Sequence, residues 1–444
     1  MPSGLSGALL PEAVRRRFRD RPLLRRLLGS GAWRVGDKVF RLGSGVFISA
    51  YIARYLGPYG LGLLSFGSAL AFMVSAIGQF ALNDVIVRDL INRPQDRPVI
   101  LASAWLMRLF AAAVATVLSV GLSLLLRPGD ELSAVVVLCF TCAAFPQAWN
   151  VIDYDYQSRI EARPVVLARN ISFIAFAVIR IGLVLAGASV ECFALAFTGE
   201  VALSAALLAR RWHKDGLKVP ASSARWREVR HLASMSTPLV IAGLSLAIYM
   251  RIDQVMLAKM LGNVEVGLFS AAVRISEALY FLPVAVATSV APALTAARKQ
   301  SVAEYERRFL KVARMLVGAA FVVAVCFTLL AKPIILILYG PSFARSAAVL
   351  SIHTWAGVVV SLGVCGNLWL VNEGYLKFTM YQTMVGAAVN VALNLVMIPR
   401  LGIVGAALAS CAGQLVSVVV TVAVLPKTRR LFRLQLASLL PVPV

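Results

Sequence analysis

The sequence predicts an all-α polytopic membrane protein with about twelve transmembrane helices and both termini in the cytoplasm. The first of three observations is composition, because 59% of the 444 residues are hydrophobic and only 15% are charged. Soluble domains are about 45–50% apolar and about 25% charged, so these charges are too few to cover a soluble enzyme of this size. The apolar excess also excludes a disordered chain. A polytopic membrane protein is the class that remains.

The second observation is a series of apolar runs long enough to cross a bilayer. A hydrocarbon core of about 30 Å requires about 20 apolar residues in a helix. Apolar runs separated by charges, prolines or glycines predict twelve spans. The predicted limits are 36–56, 61–83, 99–126, 131–152, 165–186, 190–209, 232–253, 264–290, 312–336, 345–371, 376–397 and 402–425.

The third observation is the distribution of positive charge. The chain has 44 Lys and Arg against 21 Asp and Glu, a net charge of +23. The two terminal segments and the loops after even-numbered spans contain 29 of these cations, whereas the opposite side contains four. Because cytoplasmic loops are enriched in Lys and Arg, both termini are predicted to be cytoplasmic. This asymmetry explains most of the net charge, so we expect no nucleic-acid partner.

The longest cytoplasmic loop divides the spans into two sets of six. An internal repeat supports this division, since residues 53–70 and 258–275 are identical at six of eighteen positions. Both segments fall at the outer turn between the first two spans of their half. Six spans return the chain to the same side, so the halves have parallel topology. The predicted segments are a basic arm 1–35, a first six-span unit 36–209, a linker 210–231, a second six-span unit 232–425 and a basic tail 426–444.

Sequence motifs of enzymes are missing from this chain. The three histidines are far apart in sequence, and no HExxH, GxSxG or Walker loop occurs. The six cysteines lie in or beside apolar runs, which is typical of free thiols that fill apolar space. We therefore expect no enzyme activity, no bound metal and no other cofactor.

Three segments of the chain combine glycines and polar residues with apolar runs in a recognisable pattern. The first is ARYLGPYGLGLLSF after the first span, and the second is YGPSFARSAAVLSI at residues 339–352. The third is VNEGYLKFTMYQTMVGAAVNVALNLVMIPRLGIVGAALAS near the C-terminus. In these segments, and in the order, spacing and number of its spans, the chain resembles the Wzx-type oligosaccharide flippases of the multidrug/oligosaccharidyl-lipid/polysaccharide exporter superfamily. The resemblance covers about residues 30–425.

The resemblance implies two six-helix bundles around a central cavity and transport by alternating access. It also implies a location in the bacterial cytoplasmic (inner) membrane. The implied cargo is an oligosaccharide carried on undecaprenyl diphosphate, which is moved to the outer leaflet for surface polysaccharide synthesis. Membrane lipid and other polysaccharide-assembly proteins are the further partners that it implies.

Arginines within the spans are the main functional signal, because charges in hydrocarbon are costly and usually face protein or water. A guanidinium binds phosphate oxygens through two parallel hydrogen bonds. These arginines therefore predict a cationic cavity for a diphosphate head group. Structural ion pairs along one helix, such as Asp37 with Arg41 or Arg274 with Glu277, are the alternative. The substrate-binding candidates are Arg41, Arg108, Arg180, Arg251 and Arg274.

Two acids and two amides complete the set of candidates. Asp253 and Glu277 are candidates for ion coupling, because a carboxylate in a low-dielectric cavity can exchange a proton. A structural role as partners of nearby arginines is the alternative. Asn390 and Asn394 lie one helical turn apart on the eleventh span, so both amides face one side. They are predicted either to pack between helices or to line the cavity.

Two other functions stay open. An ion-coupled multidrug antiporter of the same superfamily would share the fold, but it predicts an acidic cavity for cationic drugs. A membrane glycan polymerase or ligase would have a large loop outside the membrane, whereas every predicted outer loop is short.

Overall fold

A computed structural model describes residues 22–79, 82–216 and 221–439. Most of the predicted basic arm therefore lies outside the described residues. Within these ranges the chain forms helices and short connections without a β-strand. Eleven helices in this part of the chain are long and apolar enough to cross a membrane. The predicted all-helical membrane fold is confirmed.

The twelfth span appears when the first helical segment is divided at its kink. Pro22–Gln79 is broken at Gly57, whose φ of 67° and ψ of −178° are not helical. Glycine adopts positive φ without the steric penalty that a side chain brings. The kink separates α1 (residues 22–56) from α2 (residues 58–79), which are the first and second spans.

The remainder of the first half supplies four further spans. The fourth span is segmented, and its first helix is capped by Asp130, whose carboxylate accepts a hydrogen bond of 3.0 Å from the backbone N–H of Ser133. An N-terminal cap satisfies a backbone donor that has no partner within the helix. The helices are α3 (Leu82–Asn92), α4 (Arg97–Leu126), α5 (Glu131–Cys142), α6 (Ala144–Gln147), α7 (Val151–Ser158), α8 (Arg163–Leu185) and α9 (Val190–Lys214).

The second half repeats this plan and adds a C-terminal cytoplasmic helix. Its helices are α10 (Trp226–Met260), α11 (Asn263–Ala278), α12 (Phe281–Gln300), α13 (Val302–Tyr339), α14 (Ser346–His353), α15 (Ala356–Asn372), α16 (Leu376–Leu401), α17 (Ile403–Leu415), α18 (Thr421–Val424) and α19 (Arg429–Leu439). A π-helical turn at residues 416–420 joins α17 to α18. Leu431 and Leu434 of α19 are buried, so this part of the basic tail packs on the second half.

Hydrophobic packing differs between the two ends of the molecule. At the predicted outer end, one buried cluster contains residues of both halves, including Phe66, Leu70, Phe269 and Ile335. At the cytoplasmic end the halves have separate clusters, one around Trp212 and the other around Phe309, Trp369 and Leu431. The halves are therefore joined into one core at the outer end.

The predicted linker packs on the cytoplasmic end of the first half. The buried indole of Trp212 donates a hydrogen bond of 3.1 Å to Asp155, and the hydroxyl of Tyr156 donates one of 2.6 Å to Asp215. Leu232, at the start of the seventh span, is fully buried in the first half's cytoplasmic cluster. The beginning of α10 is thus attached to the first half.

Candidate functional site

A cavity of about 270 Å³ lies between the two halves. α2, the fourth span and α9 line it from the first half, and α10 and α11 line it from the second. Ser65, Ser68 and Ser75 provide hydroxyls from α2. Charged groups come only from the second half, as Arg251, Arg274 and Glu277. Among the lining residues, cations therefore outnumber acids by two to one.

A second cavity of about 340 Å³ extends into the first half. It is mostly apolar, with Phe173 and Phe193 among its lining residues, and Arg180 brings a cation from α8. Four residues line both cavities and so connect them: Ser68, Phe140, Phe197 and Arg274.

The partners of Arg274 differ from those of the other arginines that line these cavities. Its guanidinium donates to the hydroxyls of Ser49 on α1 and Ser65 on α2. Within the described ranges it forms no ion pair with a carboxylate, so the predicted pairing with Glu277 along one helix is not formed. A partly buried cation held only by neutral hydroxyls retains its capacity to bind an anion.

Glu277 is paired across helices. Its carboxylate accepts a hydrogen bond of 3.1 Å from Arg251 on α10, and a second nitrogen–oxygen distance within this ion pair is also 3.1 Å. The Arg251 guanidinium also lies 5.7 Å from the ring centroid of Phe72. The pair holds α10 and α11 together at the cavity wall and leaves little net charge there.

A carboxylate that the sequence analysis did not identify holds two of the candidate arginines. Glu200 on α9 lies 3.2 Å from the guanidinium of Arg41 and 2.8 Å from that of Arg180. The criterion that selected Asp253, an acid within an apolar run, also selects Glu200. Two cations around one carboxylate give this group of three side chains one net positive charge.

Arg108 lies outside the lining of both cavities. Its side chain is buried, and it donates a hydrogen bond of 2.5 Å to the hydroxyl of Tyr154. Its guanidinium is 5.6 Å from the centroid of the same ring. The structure therefore separates Arg108 from the candidates that surround the cavities.

Asp253 forms a buried polar cluster away from the cavities. Its two oxygens accept hydrogen bonds of 2.5 Å, one from the amide of Asn394 and one from the hydroxyl of Ser410. The same amide is 3.1 Å from the side-chain oxygen of Asn390. Ser410 carried no signal in the sequence, because an isolated serine in an apolar helix is ordinary.

The cluster around Asp253 has unsatisfied polar atoms and contains no cationic side chain among the described residues. The side-chain oxygen of Asn394 and the side-chain nitrogen of Asn390 have no hydrogen-bond partner. A buried carboxylate without a cation is costly unless it is protonated or holds a small cation. The cluster around Asp253 therefore has the chemical groups to bind a proton or a monovalent cation.

A further carboxylate cluster lies at the cytoplasmic end. Asp89, Glu228 and His231 place ligand atoms within 4.8 Å of one another. However, Arg93 lies among them, 2.9 Å from Asp89 and 2.7 Å from Glu228. Because a guanidinium already neutralises these carboxylates, we interpret the cluster as an ionic contact between α3 and α10.

The electrostatics of this cluster follow from the two arginines. Burial alone would raise the pKa of Asp89, but hydrogen bonds and charges from Arg88 and Arg93 outweigh it and hold that pKa below its usual value. The hydrogen bond to Glu228 raises the pKa of Arg93 above its usual value. Both groups are therefore charged at neutral pH.

Two known families match the sequence. The family described as polysaccharide biosynthesis protein matches residues 43–298, and the family described as MatE matches residues 238–396. Among curated proteins, the chain is similar to the probable flippase AglR of Haloferax volcanii, with 26% identity over 182 residues. This alignment covers 40% of the present chain but only 38% of the length of AglR.

Solved structures show the same fold. The lipid II flippase MurJ in an inward closed conformation superposes with a TM-score of 0.73 at 14% identity, covering 93% of this chain and 91% of MurJ. An inward-facing multidrug resistance MATE family transporter of the MOP superfamily superposes with a TM-score of 0.67 at 14% identity. That alignment covers 91% of this chain and 96% of the transporter.

The cluster around Asp89 predicts a pH-dependent contribution to stability. The pKa of Asp89 is lower in the folded state than in the unfolded state. Its contribution to the free energy of unfolding is therefore complete above the unfolded pKa of about 3.9 and is lost as the pH falls further. At pH 7, Asp89→Asn should lower the free energy of unfolding by about 1–3 kcal/mol, because charged hydrogen bonds are lost. Thermal unfolding of the purified protein in detergent measures this difference.

The difference between wild type and Asp89→Asn in the free energy of unfolding should narrow as the pH falls below about 4. Asp96→Asn is the matched control, because Asp96 lies at 4.0 Å from Arg93 and its side chain is 46% exposed. If the two proteins instead differ by the same free energy of unfolding at every pH, Asp89 does not form the stabilising ionic contact.

Proposed function

The chain belongs to the polysaccharide biosynthesis protein family, and from this premise we propose that it is a flippase for a lipid-linked oligosaccharide. The proposed cargo is an oligosaccharide on a polyprenyl diphosphate such as undecaprenyl diphosphate. The proposed route is from the inner to the outer leaflet of the bacterial cytoplasmic membrane, for surface polysaccharide synthesis. The similarity to a probable flippase over part of its length supports this proposal.

The observation that carries the proposal is the position and pairing of Arg274. It lines both cavities, and its described partners are two serine hydroxyls. A diphosphate bound there replaces neutral hydroxyl partners with anionic oxygens, which is a stronger interaction for guanidinium. The other arginines at these cavities, Arg180 and Arg251, each have a carboxylate partner.

The cavities also suit the rest of the cargo. Phe140 and Phe197 lie in both cavities with ring centroids 5.2 Å apart, and they offer apolar faces to sugar rings. The serines of α2 offer hydroxyls to sugar hydroxyl groups. A head group held here is kept out of the hydrocarbon while the polyprenyl chain stays in the lipid. Alternating access then requires the shared outer core to separate.

Ion coupling is assigned to Asp253 in this proposal. The carboxylate joins α10 to α16 and α17 through Asn394 and Ser410, so its occupancy affects how these helices pack. A proton or a monovalent cation neutralises it, and the unpartnered oxygen of Asn394 is available as an additional ligand. Glu277, which is paired with Arg251, is the less suitable coupling group.

Arg274→Ala should reduce glycan export about 10- to 100-fold, because a charged hydrogen bond contributes about 1.5–3 kcal/mol. Arg274→Lys should give an intermediate rate, since it keeps the charge and loses the planar fork. The measurement is surface glycan in cells that lack the native copy, normalised to protein in the membrane. Arg400→Ala, at an exposed outer position, is the matched control. Wild-type export by Arg274→Ala would contradict the cationic site.

Asp253→Asn should insert into the membrane and lose the dependence of export on the ion gradient. The amide cannot release a proton or neutralise a cation, so helix packing no longer responds to the gradient. The measurement is the export rate after the proton or sodium gradient has been collapsed. Asp84→Asn, an exposed acid on α3, is the matched control. A variant whose export still responds to the gradient as wild type does would exclude Asp253 as the coupling site.

Multidrug antiport is the second candidate, because the MatE family matches residues 238–396. The cavity between the halves argues against it, since Arg251 and Arg274 outnumber Glu277 and disfavour cationic drugs. Expression in a host without drug pumps should therefore leave the resistance to cationic drugs unchanged. Increased resistance that depends on Glu277 would favour antiport and would contradict the flippase proposal.

A further inference from the structure

The two turns that repeat each other in sequence meet in the structure. Gly57 and Gly262 occupy equivalent positions, and both have positive φ, 67° and 92°. Five residues further on, Gly62 of α2 and Gly267 of α11 lie against each other across the boundary between the halves. The sequence repeat that relates the two halves therefore brings these two glycines together at the boundary between them.

The contact between the turns is made by backbone. A Cβ atom at Gly62 would lie 1.7 Å from the carbonyl oxygen of Asn263, and one at Gly267 would lie 1.9 Å from that of Pro58. A backbone oxygen within a helix cannot rotate away as a side chain can. Any side chain at either position therefore requires the two halves to separate at this end.

A cation on each turn reaches across the boundary in the same way. Arg54 of the first half donates to the carbonyl oxygens of Ile337 and Leu338, the latter at 2.9 Å. Lys259, the equivalent residue of the second half, donates to the carbonyl oxygen of Leu126 at 2.6 Å. Each cation thus binds the end of the third span of the opposite half.

The acceptors of these bonds are the last carbonyls of α13 and α4. The final four carbonyls of a helix have no partner within the helix, and a cation near them interacts favourably with the helix dipole. Arg54 and Lys259 are exposed, so each bond forms and breaks without the cost of desolvating a buried charge. A third bond, from Arg127 to the side-chain oxygen of Asn263, has no equivalent, because the residue that matches Asn263 is Pro58, whose side chain has no acceptor.

We propose that Arg54 and Lys259 form a reciprocal latch that holds the outer end closed and is released in every transport cycle. The Gly62–Gly267 contact brings the halves close enough for the two cations to reach the opposite carbonyls. Neither element requires a particular cargo, so the latch does not depend on the flippase proposal. Its test measures gate opening without any transport.

The experiment measures how fast an impermeant maleimide labels Ser68→Cys from outside intact cells. Ser68 lines both cavities, and the six native cysteines are first replaced. Arg54→Ala with Lys259→Ala should raise the labelling rate about 3- to 30-fold, because each cation at a helix terminus changes the closing equilibrium about two- to fivefold. Gly62→Ala should raise the rate as well, since it separates the backbones.

Three controls make the outcome decisive. The exchanged pair, Arg54→Lys with Lys259→Arg, should label at the parent rate, because either cation reaches the carbonyls. Lys332→Ala, an exposed outer cation, and Gly121→Ala, whose added Cβ meets open space, should also label at the parent rate. A single symmetric peak of each variant on size exclusion in detergent shows that it has folded.

Two results would overturn the latch. In the first, the double alanine variant is labelled at the parent rate while Gly62→Ala is labelled faster. That result would mean that the glycine contact alone closes the outer end. The second is parent rates in both variants, which would mean that the outer end does not close at this contact.

Discussion

A charge within the membrane must be paired, neutralised or exposed to water, and the architecture of this protein depends on that constraint. Pairing accounts for Glu200 between Arg41 and Arg180, and for Glu277 with Arg251. These pairs connect helices that are distant in the sequence. They also remove most of the apparent cationic character that the arginines suggest when they are counted along the chain.

Three of the candidate charged groups, Arg108, Arg274 and Asp253, lie outside the described ion pairs, and the proposed flippase uses the last two. Arg274 is held by hydroxyls beside both cavities, where an anion can reach it. Asp253 is buried within the second half and accepts hydrogen bonds from an amide and a hydroxyl, outside the lining of both cavities. The proposal therefore assigns cargo binding to Arg274 on α11 and ion binding to Asp253 on α10, two helices that pack against each other.

The fold was largely predictable because apolar length and loop charge are local properties of the sequence. Helix ends moved by several residues, and the first two spans proved to be one helix kinked at Gly57. The site was less predictable. Every candidate was an ionisable or amide residue, but Glu200, Ser410 and the aromatic residues that line both cavities, Phe140 and Phe197, were missed.

The sequence by itself determined the number of spans, their orientation and the repeat that relates the halves, because each depends on hydrophobicity, charge count or identity along one chain. Only the tertiary structure decided which charges meet. Arg274 and Glu277 are one helical turn apart, yet Glu277 pairs with Arg251 of the neighbouring helix. The reason is that several oppositely charged groups lie within reach of each side chain, and helix packing decides which pairs form.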